Sequence, residues 1–462
     1  MTLITRAKDA RIGAWIGAGL ALFAVLAVYV PERFGTASPF SLAIAAALGL
    51  SATIILLAWA PATLAAAVPL LIPIPLTFHV FAIEVLLGYA LILVLIHGYA
   101  HRRPWLTHLT RIEAWALLFF GWALFTGFWV SDGMRYLAGV RRLGIGVAAL
   151  WVAYRLAHVV PRRTFLLGIV AGAGTIAFAT LAKRISTGFS AERALISRGT
   201  ATDLGWGWAN YIAAILIVMT PFVLVVAMRA RAWGERAFAV AVFGLIVSVQ
   251  LIIVARGALL LFATGILYQL TASNPRRRLV GLLFGAAVIG GLLLGPWGAA
   301  ILLRFTSLRE LSSGTIRLWY WREAWIRTVD NLPWGIGLEQ RWIYADKLQG
   351  LDPHDYWLDL SSELGFLGPP LWFALLFVIG RMVRRVVRTP ALGAEGVALE
   401  TSFYASQIHT LVEPTFQGSQ YQFIFFWIIG AYAGYLDQAT SAAVSIVPAP
   451  IAAVLKPAIA KE

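Results

Sequence analysis

Long apolar runs, broken by short polar and basic segments, dominate this chain. A bilayer-crossing helix needs about 20 mostly apolar residues. Runs of that kind fall near 12–30, 40–59, 79–98, 113–131, 138–160, 165–183, 209–228, 237–255, 257–272, 279–297, 366–380, 397–412 and 421–437, and a Pro-broken stretch, 62–76, offers one more. The pattern predicts an all-α, polytopic transmembrane protein of about 12–14 spans. The first run follows Arg6, Lys8 and Arg11 as a signal peptide would, but it is too long and lacks a small-residue cleavage site, so it reads as a retained span.

Two polar stretches, about 184–208 and about 298–365, exceed ordinary connections between spans. Only the second is large enough for a folded element. Inside it, Ile316 to Asp330 predicts a helix with Arg317, Trp321 and Trp325 stacked at i, i+4 and i+8. Asn331-Leu332-Pro333 and Gly335-Ile336-Gly337 stop it. A second short helix is expected after Pro353, ending near Gly365 where the chain re-enters the membrane. The chain thus divides into N-terminal transmembrane helices (1–297), a large loop (298–365), C-terminal transmembrane helices (366–437) and a loose Ala/Pro-rich tail (438–462).

Composition strengthens the membrane reading. The 462 residues are 60% hydrophobic and only 13% charged, more apolar than a soluble fold of this length needs. The formal charge of +15 is spread over short clusters between apolar runs, a signature of topology rather than of nucleic-acid binding. His101 to Arg103, Arg162-Arg163, Arg229 to Arg236, Arg276 to Arg278 and Arg381 to Arg388 alternate with the spans so that all five belong on the cytoplasmic side. The tail shares that side, and the N-terminus does so if the Pro-broken stretch crosses. The two long polar stretches then lie outside.

The absence of cysteine excludes disulfides, a thiolate nucleophile and Cys-ligated metal. There is no Walker loop, dinucleotide fingerprint, His-Glu-x-x-His or nucleophile elbow, and no Asp-x-Asp pair in the outer loops. A metal-free mechanism without a cofactor is favoured.

Candidate chemistry gathers at the outer edge. His354 opens "HDYWLDLSSELGFLG" and is either a hydrogen-bonded interfacial anchor or a general base. Asp352, Asp355 and Asp359 would orient its imidazole, or simply begin a helix, where Asp is favoured. Arg256, flanked by long apolar runs, is a snorkelling turn residue or an anion clamp. Arg317, Arg322, Arg304 and Arg309 share the outer loop, and Arg141 and Arg142 sit just inside a span that starts on that face. Converging arginines suggest a polyanionic ligand near lipid; lipid head groups are the alternative partner. Glu84, Glu113, Glu400, His409 and Glu413 lie near or within spans, as interhelical contacts or proton-relay groups. Loop tryptophans such as Trp334 and Trp357 are belt residues or sugar-stacking platforms.

Several of these motifs together resemble the O-antigen ligase (WaaL) and polymerase (Wzy) superfamily of bacterial envelope glycosyltransferases. His354-Asp355-Tyr356-Trp357-Leu358 followed by Glu363-Leu364-Gly365-Phe366-Leu367-Gly368 is similar to that family's His-Asn-x-aromatic-Leu and Glu-x-Gly-x-x-Gly. Arg317 to Trp321, then Leu332 to Gly337, resembles its Arg-x-x-x-Trp helix and Asn-Pro-x-x-Gly-x-Gly stop. Ala255 to Ala258 and Asn210 to Ala213 match its Ser-Arg-Gly-Ala turn and Asn-x-x-Ala span start. The likeness covers roughly 205–380. Asp355 replaces the usual Asn, and Ala255 the usual Ser.

The resemblance implies transfer of a glycan from undecaprenyl diphosphate to an acceptor hydroxyl at the periplasmic face of the bacterial inner membrane. It casts Arg256, Arg317 and Arg142 as the diphosphate grip and His354 as the base, with Asp355, Glu363, Arg322 and Asn210 in support. Ligation to lipid A core is the expected reaction; a Wzy-type O-antigen, capsule or exopolysaccharide polymerase, acting on a growing glycan, is the alternative. A lipid or solute transporter would instead place ionisable groups deep in several spans, and a scaffold would leave the Arg and His placement as coincidence.

Overall fold

The computed structural model describes residues 109–186, 209–253, 255–273, 308–341, 354–411 and 413–446, with short pieces between 68 and 94 and residue 204. The expected spans at 12–30, 40–59 and 279–297, most of the stretch 184–208 and the end of the tail lie outside the described residues. Among those described, eleven α-helices follow one another and no strand occurs. They are α1 (Arg111–Phe125), α2 (Gly133–Ala157), α3 (Arg162–Ser186), α4 (Ala209–Arg229), α5 (Trp233–Ile253), α6 (Arg256–Ser273), α7 (Leu308–Asp330), α8 (Tyr356–Leu364), α9 (Gly368–Arg388), α10 (Gly393–Thr410) and α11 (Ser419–Ile446). Five segments are long and apolar enough to cross a membrane: α2, α3, α4, α5 and the stretch Tyr356–Arg388 that joins α8 to α9.

Helix starts follow local chemistry. Thr110 and Glu113 form a capping box on α1, each side chain accepting the other's backbone N–H. Asp132 caps α2 by accepting from Met134 and Arg135. Gly368-Pro369-Pro370 opens α9, where proline is tolerated because first-turn N–H groups have no helical partner. The tail departs from expectation: α11 runs on through Ile446, because Ala-rich sequence after Asp437 continues a helix at little cost.

Small residues and cross-helix amide bonds hold the bundle together. Gly430 of α11 lies against the Leu150 backbone of α2, where any Cβ would overlap the Leu150 carbonyl oxygen. Gln250 of α5 donates to the Ala213 carbonyl (3.0 Å), Ser402 of α10 to that of Val218 (2.6 Å), and Gln269 of α6 to that of Pro221 (2.6 Å). Inside a bilayer such bonds have no competing water. The Gln250 bond also sets direction, placing the end of α5 beside the start of α4. Asn210 and the start of α6 therefore share one end of the bundle. Arg162 and Glu235 meet Arg229 and Glu395 at the other. At about 1.5 Å per residue, α4 separates Asn210 from Arg229 by about 28 Å, close to a hydrocarbon core of about 30 Å.

The expected loop helix is present as α7, beginning before the predicted Ile316, and the second as α8, ending at Gly365 as predicted. The two glycine motifs clasp each other. Ile336 N donates to Ser362 O (2.9 Å), Gly337 N to Glu363 O (2.8 Å) and Phe366 N to Pro333 O (2.8 Å). Gly335 and Gly365 have φ of +77° and +62°, and a Cβ on either would overlap the other's backbone. Both the left-handed backbone and the close approach require glycine. The clasp fixes α8, and so His354 just before it, against the segment that follows α7.

Candidate functional site

One carboxylate organises the end of the bundle that carries Asn210. Glu413 lies in the connection between α10 and α11, just outside the flanking helices, and is nearly buried. Its Oε2 meets His354 Nδ1 at 3.2 Å; its Oε1 accepts from Arg317 Nη2 at 2.7 Å and from Asn210 Nδ2 at 2.8 Å. Four separate parts of the chain thus converge: the start of α4, the middle of α7, the second residue before α8, and the α10–α11 link. Tyr211 helps hold that link, its hydroxyl donating to the Pro414 carbonyl at 3.3 Å.

Burial alone would push the Glu413 carboxyl up. The His354 hydrogen bond and the charges of His354, Arg317 and His409 overcome it and hold the group down at about 2. An ionised carboxylate only accepts hydrogen bonds. His354 Nδ1 therefore carries the hydrogen in their shared bond, and in the neutral form of the ring Nε2 keeps its lone pair. That is the orientation in which an imidazole abstracts a proton. His354 is about 29% exposed, so the ring is reachable, and its backbone has φ of +54°, uncommon for a residue with a side chain. His409, one turn before Glu413, is buried with Nδ1 making no hydrogen bond among the described residues.

A second charged cluster lies behind this one. Arg341 pairs with Glu339 (3.2 Å) and Glu363 (2.8 Å), Arg142 pairs with Glu339, and all four side chains are largely buried. Arg142 also donates to the Gln417 carbonyl (3.0 Å), and Gln417 in turn bonds Asp359. Two cations thus balance two anions in a network that ties α2, the segment after α7 and α8 to the Glu413 link. Breaking such a buried set by removing one member costs about 3–5 kcal/mol.

The predicted residues fall into distinct places. His354, Arg317 and Asn210 converge on Glu413. Arg142 and Glu363 belong to the buried network behind them. Asp355 accepts from Trp357 N (2.9 Å) and Leu358 N (3.1 Å) as the cap of α8, so its hydrogen bonds serve the helix start and not the imidazole. Asp359 is buried and bonded to Gln417, and Asp352 lies outside the described residues. Arg322 is exposed on α7. Arg256 is the first residue of α6, at the same end of the bundle; its side chain lies outside the described residues, as do Arg304 and those of Arg309 and neighbouring residues.

Sequence alone groups Glu413 with the polar residues near spans, as an interhelical contact or a proton-relay group, and does not pair it with His354. The available signal is its position, an acid followed by proline between two apolar runs. Of the other acids in that group, Glu113 pairs with Arg155 between α1 and α2, and Glu400 accepts from Tyr268 at 2.7 Å between α6 and α10. Both are interhelical contacts. Among the described residues no group of three or more His, Asp or Glu side chains is placed to hold a metal ion.

A cleft of about 580 Å³ opens at this end, lined by Phe125, Phe128, Trp129, Leu332 and Trp334. Trp334 stacks on Trp122 with centroids 6.3 Å apart, and the Trp122 and Trp129 indole N–H groups donate to Leu364 O and Gly335 O. The aromatic wall is thereby fastened to both halves of the glycine clasp. No family model matches the chain and no curated protein matches it, so the superfamily resemblance rests on the quoted motifs. The described residues define a helical protein with helices suited to a membrane.

Proposed function

We propose that this protein is a multi-pass enzyme of the bacterial inner membrane, with about 12–14 spans, whose outer loop works at the periplasmic face. It moves a glycan from undecaprenyl diphosphate to an acceptor hydroxyl without a metal ion. The observation that carries this reading is the His354–Glu413 pair, with Arg317 and Asn210 on the other carboxylate oxygen.

In this mechanism His354 Nε2 takes the acceptor's proton as its oxygen attacks the anomeric carbon. The bond from that carbon to the diphosphate breaks, and the leaving group departs with the electron pair. Glu413 fixes the tautomer and balances the imidazolium that forms, as the carboxylate does in a Ser-His-Asp triad. Arg317, about one-third exposed beside the pair, and Arg256, from the start of α6, offset charge growing on the diphosphate. Arg142 acts at one remove, holding the Gln417 carbonyl and with it the Glu413 link. The aromatic cleft supports an amphipathic ligand, since tryptophan faces accept both sugar rings and isoprenoid chains.

The test is transfer from purified undecaprenyl-diphosphate glycan to lipid A core by the reconstituted protein. A single adduct indicates a ligase, and a lengthening ladder on the donor lipid indicates a Wzy-type polymerase. Absence of both, with intact helical signal, removes the proposal. Full activity in a His354→Ala variant removes the base assignment.

A further inference from the structure

The opposite end of the bundle contains a larger opening that glycan transfer does not use. A cavity of about 680 Å³ lies between the start of α3, the end of α4, the start of α5 and the turn from α9 to α10. Its rim is basic. Arg162 pairs with Glu395 (3.0 Å) and donates to the Ala391 carbonyl (2.6 Å), and Arg163 Nε bonds Glu235 (3.0 Å). Two guanidinium groups are thus balanced by two carboxylates and fixed in direction. Arg229 and Arg231 line the same opening, are exposed, and exceed the carboxylates on the rim. The inner wall is apolar, formed by the buried side chains of Leu166, Val225, Val226 and Leu392. Trp233, 82% exposed, falls in the chain between the lining residues Arg231 and Glu235.

Surplus positive charge over an apolar wall, at the end of helices long enough to cross a membrane, matches one chemistry. We propose that this cavity binds a phosphate group, carried on the headgroup of an anionic phospholipid whose first acyl carbons lie against Leu166 and Val225. Guanidinium groups suit phosphate through paired, charge-assisted hydrogen bonds, and basic pockets between transmembrane helices bind such headgroups. An exposed tryptophan between two lining residues fits the headgroup region. A free phosphate compound would share the polar contacts and lack the apolar one.

The experiment uses the full chain in neutral detergent. Its unfolding temperature is followed against phosphatidylglycerol, phosphatidylcholine and inorganic phosphate, and lipid adducts are counted by native mass spectrometry. An Arg229→Gln/Arg231→Gln variant is compared with Arg384→Gln/Arg385→Gln, which removes equal charge from exposed positions on α9 that do not line the cavity. Expected is saturable stabilisation by phosphatidylglycerol and not by phosphatidylcholine, weakened about tenfold in the first variant and little changed in the second. An equal response to inorganic phosphate, lost in the same variant, keeps the phosphate site and overturns the lipid source. Equal loss in both variants, or equal binding of phosphatidylcholine, overturns the site.

Discussion

The two ends of the bundle both carry arginines, and they use them differently. At the end with Asn210, carboxylates organise the cations: Glu413 collects Arg317, Asn210 and His354, while Glu339 and Glu363 hold Arg142 and Arg341 in a buried set. At the other, arginines outnumber carboxylates around an open cavity. The first arrangement holds the imidazole and its neighbours in direct hydrogen bonds of 2.7–3.2 Å, the kind of positioning a general base requires. The second leaves net charge at an accessible rim, as reversible anion binding requires. Arginine content alone does not separate these uses; the local ratio of acid to base does.

That contrast can be broken most severely at His354. A His354→Ala variant should lose about 10²–10⁴ in transfer rate yet keep its fold, while Arg229→Gln/Arg231→Gln should keep its rate; an equal loss at both ends would erase the distinction. Glu413→Gln keeps the shape and removes the charge that fixes the imidazole, so transfer should fall on the order of 10².

The same variant has a pH signature. Glu413 is held at about 2 in the folded protein against an ordinary 4.5, so its contribution to stability is complete above about 4.5 and disappears as pH falls toward 2. The gap in unfolding temperature between the native chain and Glu413→Gln should narrow across that window. A gap that stays constant there would contradict the ion-paired geometry.

Smaller effects sharpen the comparison. Arg341→Ala leaves Glu339 and Glu363 with less compensation and should destabilise by about 3–5 kcal/mol, read by chemical unfolding in detergent. Asp355→Ala removes the α8 cap and should cost about 1 kcal/mol. Arg163→Gln breaks an exposed pair with Glu235 and should change stability by less than about 1 kcal/mol.

Helices were legible because a bilayer-length apolar run has few alternatives. The predicted runs at 138–160 and 209–228 correspond to Gly133–Ala157 and Ala209–Arg229, and the stop at Gly365 was readable from its glycine. Partnership was harder. Asp355 is adjacent to His354 in sequence but is drawn off by two backbone N–H groups of the helix it starts. Glu413 is 59 residues away and reaches the ring only because α10 and α11 bring their connection to the same end. Arg142 looked like a ligand-binding cation because its partner, Glu339, sits in a loop that no periodicity places.

The clasp between Gly335 and Gly365 has a consequence for variation. Each position forbids even a methyl group because the other occupies the space it would need, so neither can drift independently and no single exchange opens room for the second. Saturation libraries should therefore return glycine alone at both codons, while neighbouring loop positions diversify around two fixed points.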